Sequence, residues 1–136
     1  MKTIKREQSD SEKAASAKGR RSQKKGKQYE SELLKLFNSH NFKVYQGLQG
    51  KRGGKKNADI SILDKYGDVW FHVEAKKGKQ PNAKKALAQA NRDKSPGSMP
   101  VAICCEDAKE PFGSREETVT MKLGDWLELI LMVHNG

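Results

Sequence analysis

The chain predicts an α/β fold, a central mixed β-sheet with helices packed on it. Three observations carry that expectation. Two alternating stretches, Asp59–Leu63 and Val69–Lys76, flank the run Lys65-Tyr66-Gly67-Asp68, which is a hairpin pattern. A helix-spaced segment opening at Pro81 follows, and then the apolar run Pro100–Cys105, suited to a buried strand. Further helical segments stand before and after these strands, so the expected order is α, three β, α, β, β, α.

The elements follow in chain order. Tyr29, Leu33, Leu36, Phe37 and His40 fall on one stripe at helical spacing, which places a helix from about Lys25 to about His40. Asn41 is the stop, and Lys43-Val44-Tyr45 alternates as a short strand. Between Gly47 and Asn57 lie four glycines and the basic residues Lys51, Arg52, Lys55 and Lys56, a mobile basic loop. The middle helix runs from Pro81 to about Lys94 with Ala86, Leu87 and Ala90 on its apolar side, and Ser95-Pro96-Gly97 ends it. Glu117–Leu123 alternates as a strand. Asp125 with Glu128 three positions later forms a capping box opening a last helix, Trp126–His134.

The 136 residues suit one small domain, because two would each be marginal. Lys+Arg number 27 against 17 Asp+Glu, a net charge of +10, and this points to a polyanionic partner, nucleic acid before a membrane surface. No apolar run approaches a membrane span and no signal-peptide pattern opens the chain, so no membrane association is expected. Adjacent Cys104 and Cys105 point to opposite faces of a strand, which excludes an unstrained bond between them and favours a reducing, cytoplasmic setting.

The charge is uneven. Residues 1–28 hold ten Lys/Arg and three acids, so they carry +7 and the remaining 108 residues +3. With no aromatics before Tyr29 and few large aliphatics, residues 1–24 are expected to be a disordered basic arm and residues 25–136 the folded domain. Arg20, Arg21, Lys24 and Lys25 then hold phosphate backbones non-specifically; the alternative is a solubilising tail.

The chemistry centres on Asp59, Glu74 and Lys76. Glu74 and Lys76 are two apart on a strand and share a face, while Phe71, Val73 and Ala75 share the other. The hairpin folds the Asp59 strand back beside them, with Asp59 alternating against Ala58 and Ile60. Two carboxylates and an ammonium can thus converge, a set suited to metal-assisted phosphodiester hydrolysis, with two hard oxygen ligands and a backbone carbonyl holding Mg²⁺. The alternative is a solvated strand face with a cross-strand ion pair. Glu30 lies inside the apolar stripe of the first helix, where a carboxylate is costly unless paired or metal-bound. His72 shares the Glu74 face and is either structural or near the site. Cys104 and Cys105 read as core residues. The glycine loop lacks the Gly-Lys-Ser/Thr of a nucleotide-binding loop.

Taken together, Lys25-Gly26 with Glu30, Glu32-Leu33, Asn41-Phe42 with Val44, the glycine-basic loop, Asp59-Ile60 and Val73-Glu74-Ala75-Lys76 resemble the Holliday junction resolvases of archaea and their phage relatives, in the PD-(D/E)XK nuclease superfamily. The resemblance covers about residues 25–90. It implies a restriction-endonuclease-like core and a catalytic set of Glu30, Asp59, Glu74 and Lys76. It implies Mg²⁺, with Mn²⁺ as substitute, on Asp59, Glu74 and the Ala75 carbonyl, with Glu30 a further ligand candidate, and no small-molecule cofactor.

Ala58 departs from the family's proline, and the loop before Asp59 lacks the family's serine, for which Gln46 or Gln49 are candidates. Gln89 stands where related nucleases touch phosphate or water, and Lys77, beside Lys76, is a further DNA contact. The activity implied is a structure-selective endodeoxyribonuclease that resolves four-way junctions by paired symmetric nicks, in DNA recombination and repair, in a bacterial, archaeal or phage-infected cell. The alternatives are another nuclease of the superfamily, restriction-like or repair-associated, and a non-catalytic DNA-binding module on the same fold. Paired nicks need two sites, hence a homodimer. From Trp126 to Val133 only Glu128 is charged, so this helix needs covering on more than one side, by a partner chain or within its own domain.

Overall fold

The computed structural model describes residues 10–47, 59–107 and 116–136. The basic loop residues Lys51, Arg52, Lys55 and Lys56, and Gln49, lie outside the described residues, as does the side chain of Arg21. The elements are α1 (Asp10–Ser39), β1 (Val44–Gln46), β2 (Ile60–Leu63), β3 (Val69–Gly78), α2 (Ala83–Asp93), β4 (Met99–Glu106), β5 (Glu117–Met121) and α3 (Leu123–Asn135). The order matches the expected α, three β, α, β, β, α.

The five strands form one mixed sheet in chain order, with β3 and β4 parallel and the other neighbours antiparallel. A parallel pair needs a crossover, and α2 supplies it. The β2–β3 turn is built by Asp64, whose carboxylate accepts from the Tyr66 and Asp68 N–H groups at 2.9 and 3.0 Å. Gly67 there takes φ +85°, open to glycine at little cost.

One sheet face carries the core. Ile60, Ile62, Val73, Ala75, Val101, Ile103 and Cys105 bury against Tyr29 and Leu33 of α1, with Leu34 and Phe37 packed at the rim. The helix α2 crosses the other face, with Ala86, Ala90 and Asp93 buried at i, i+4 and i+7. Both cysteines are free and buried.

Several boundaries differ from expectation. The helix α1 begins at Asp10 rather than near Lys25: residues 10–24 are rich in Ala, Lys and Arg, good helix formers that need no core to turn into a helix once the packed part has nucleated it. The expected disordered arm is thus helical in backbone from Asp10, and residues 1–9 lie outside the described ones. Leu36 and His40 sit on the exposed flank of the stripe. In α2, Asn82 is the N-cap, its side chain accepting from the Lys85 N–H at 3.0 Å, and Pro81 stands outside the helix.

The last helix starts at Leu123 after Lys122, so Asp125 is not its cap and lies in the first turn, where a carboxylate favours the helix dipole. None of its residues is buried by the described residues. Among the described residues no helix is long and apolar enough to cross a membrane.

Candidate active site

Asp59 sits one residue before β2, and the pairing of Ile60 with Val73 and Ser61 with His72 continues to set Asp59 beside Glu74. Alternation on β3 puts His72, Glu74 and Lys76 on one face, with Val73 and Ala75 in the core of the other. The Asp59 carboxylate is fixed by the Ala75 N–H, donated to Oδ2 at 2.8 Å. That bond locks the start of β2 onto the strand that carries Glu74 and Lys76.

Glu30 arrives from α1. Its stripe position beside Tyr29 and Leu33 turns it inward, and Gln46 at the end of β1 donates to its Oε2 at 3.1 Å. Burial, then the charge of Asp59, raises the Glu30 carboxyl above its ordinary value, against the Gln46 hydrogen bond and Lys76. Glu30 is therefore within electrostatic reach of both Asp59 and Lys76, although α1 packs on the opposite side of the sheet from α2. Of the two glutamines considered for the missing serine, Gln46 thus touches the cluster.

Glu74 is the most constrained member. It is 1% exposed, and its carboxyl faces that of Asp59. Burial and then the neighbouring Asp59 push its carboxyl up to about 8, with Lys76 opposing and Asp93 adding to the rise. His72, fully buried, brings Nε2 to 4.0 Å from Glu74 Oε1. Lys76 is exposed at the mouth and lies beside Cys104 of β4 in the parallel register. Burial raises the Cys104 thiol, against the Lys76 charge.

The four residues named from the sequence are thus brought to one place, and His72 lies with them beneath Glu74. Sequence reasoning missed Asp93 and Ser61. Ser61 shares the parity of His72, and Asp93 continues the Ala86–Ala90 spacing, so both signals were present in the pattern; what lay under that face was not. Gln89 and Lys77 line a cleft of about 360 Å³ that begins at Lys76. Lys25 is held away from the site in an ion pair with Asp107 at 2.7 Å, which pins α1 to the end of β4. Arg20 and Lys24 are exposed on α1.

Among the described residues no group of three or more His, Cys, Asp or Glu side chains is disposed to hold a metal ion. The acidic donors here are a pair, Asp59 and Glu74, with Ala75 next to Glu74 on β3. Mg²⁺ keeps several waters and binds through one or two carboxylates plus substrate phosphate, so this donor set fits it. The buried Glu74 carboxyl and that of Asp59 raise each other's cost of ionisation, which a divalent cation held by both would relieve. Comparisons with protein-family models, with curated proteins and with solved structures found no match.

Proposed function

We propose that this chain is a metal-dependent DNA endonuclease that cuts branched DNA, and that the branch it resolves is the four-way junction. The observation that carries the reading is the convergence of Asp59, Glu74 and Lys76 on one sheet face, with Glu30 reaching in from α1. The order α-β-β-β-α-β, with the β3/α2/β4 crossover, also agrees with the PD-(D/E)XK core that the sequence resembles.

Asp59 and Glu74 would hold Mg²⁺ with the Ala75 carbonyl. The metal, when bound, offsets the charge that develops on the phosphate and supplies a water of lowered pKa. Asp59 keeps its orientation through the Ala75 N–H. Lys76, exposed at the mouth, sits where it can stabilise the phosphate oxygens or orient the attacking water. Glu30, with a raised carboxyl and Gln46 fixing one oxygen, is suited to hold or pass a proton beside that water. His72 is buried beside Glu74 on the same face.

The decisive experiment incubates a four-way junction, a duplex and a single strand with the protein in Mg²⁺ or in EDTA and resolves the products on a denaturing gel. Symmetric nicks in the junction, in Mg²⁺ alone, are expected. Equal cutting of duplex would identify a different nuclease of the same kind, and binding without cutting in any metal would leave a non-catalytic DNA-binding module.

Two nicks require two centres, and each chain carries one. The helix α3 offers the surface for a second copy: Trp126, Leu127, Leu131 and Met132 are 51, 47, 55 and 51% exposed. Beside it an apolar cavity of about 520 Å³ opens between Phe37, Phe42, Trp70, Phe71 and Met132. Large apolar residues half in water on every side of one helix are the composition of an interface core. Sedimentation at micromolar concentration is expected to give a species of twice 15.2 kDa. Leu131→Glu is expected to convert it to a folded monomer that binds junctions but does not make paired nicks. A wild-type monomer would exclude the symmetric arrangement.

A further inference from the structure

We propose that the cleft between the end of β3 and the first turns of α2 is a seat for the phosphodiester backbone of a DNA strand as it leaves the Glu74/Lys76 centre. The proposal rests on the endonuclease reading only in naming DNA as the polyanion.

The cleft, about 360 Å³, is walled by Lys76, Lys77, Lys79 and Lys85, with Asn82 and Gln89 completing it, and no acidic side chain lines it. Local sequence makes it so. From Lys76 to Gln89 the chain holds five lysines and no Asp or Glu. The tight passage from β3 to α2 through Gly78 and Pro81 then folds four of the five toward one hollow. On α2 the positions of Asn82, Lys85 and Gln89 fall on one side, next to buried Ala86.

Among the described residues Lys77, Lys79 and Lys85 are in no ion pair, although Lys25 on α1 finds Asp107, while Lys76 also faces the Glu30 and Glu74 carboxylates. Unpaired like charges drawn into one concave site repel each other and concentrate positive potential there, which a polyanion relieves. The cleft begins at Lys76, a member of the candidate centre, so a strand whose phosphate lies at Lys76 continues into it without a break. Gln89, a neutral side chain able to donate and accept, then faces the same strand as the lysines. Contacts of this kind position the strand without reading its bases.

The test measures binding in EDTA, where no cleavage intervenes. Anisotropy of labelled junction and duplex is followed across a KCl series for the wild type, for Lys79→Gln/Lys85→Gln, and for the charge-matched control Lys65→Gln/Lys84→Gln. Lys65 lies on the β2–β3 turn and Lys84 on α2 outside the cleft. Each lost phosphate contact removes about 0.9 from the slope of log K on log[salt], so the cleft pair is expected to flatten it by about 2 on both DNAs. The control pair is expected to leave the slope within about 0.5 of the wild type.

An unchanged slope in the cleft pair, or an equal drop in both pairs, overturns the proposal. Thermal melts check that each variant is folded, and single Lys79→Gln, expected to lower the slope by about 1, repeats the test should the pair be unstable. A flattened slope in a protein that never cuts DNA would leave the cleft intact and remove the endonuclease reading instead.

Discussion

Asp59→Asn, Glu74→Ala and Lys76→Ala are each expected to slow junction cleavage in Mg²⁺ by a factor of about 10²–10³ or more, while junction affinity changes little. Each substitution removes a group that acts on charge developing in the transition state, and losses of that order follow when one such group is deleted. Affinity would rest on the many Lys and Arg contacts to phosphate, which Asp59→Asn and Glu74→Ala leave in place and of which Lys76→Ala removes one. Asp59→Asn also keeps an oxygen able to accept from the Ala75 N–H, so its loss would be one of charge rather than of strand geometry. Glu30→Gln is expected to fall between these and the wild type, because Glu30 lies at the rim and shares its load with Gln46. Single-turnover rates with saturating protein measure all four. Wild-type cleavage in EDTA, or full activity in Glu74→Ala, would falsify the assignment.

The second large effect is on stability. Glu74 carries its carboxyl at about 8 in the fold, against an ordinary value of 4.5, because it is buried and faces Asp59. A raised carboxyl means that the folded state holds the proton more tightly than the unfolded state. The associated stability is fully present below about 4.5 and is lost as pH rises through about 8. In EDTA, therefore, the wild type is expected to lose thermal stability between these limits. Glu74→Gln, which imitates the neutral acid and can still donate toward Asp59, is expected to match the wild type at the acid end. Near pH 8.5 it should melt higher by about 5 °C or more, since 1 kcal/mol moves Tm by about 4–8 °C in a domain of this size.

Mg²⁺ favours the ionised carboxylate and stabilises only the state that binds it. Adding it at pH 8.5 is expected to raise the wild-type Tm and leave Glu74→Gln where it was. Melting curves that stay parallel across pH, or an equal response of both proteins to Mg²⁺, would show that Glu74 is neither proton-holding nor a metal ligand. This readout needs no DNA and is independent of the cleavage measurement.

The sheet and its polarity were legible before any coordinates. Alternation on Val69–Lys76 separates Val73 and Ala75 from Glu74 and Lys76 because successive strand residues point to opposite faces, and that rule holds whatever packs on either side. The hairpin turn follows from Asp64-Lys65-Tyr66-Gly67-Asp68, since a short carboxylate and a glycine suffice locally to reverse the chain. The inward turn of Glu30 follows from its place among Tyr29, Leu33 and Phe37. These features depend on neighbours within a few residues, which the sequence displays directly.

What lies across space had to come from the tertiary structure. Only the crossover of α2 over the Glu74 face buries His72 and Glu74 and adds Asp93 beside them, and burial together with the charge of Asp59 raises the Glu74 carboxyl. Only the passage from β3 to α2 turns Lys77, Lys79 and Lys85 into one cleft with Lys76. The start of α1 nineteen residues ahead of its apolar stripe and the exposure of α3 have a common cause. Periodicity records which residues share a face, but how far a helix extends and whether its face is covered depend on what surface the rest of the chain brings to it. Here the sheet offers α1 a core from Tyr29 onward and offers α3 none that buries a single residue.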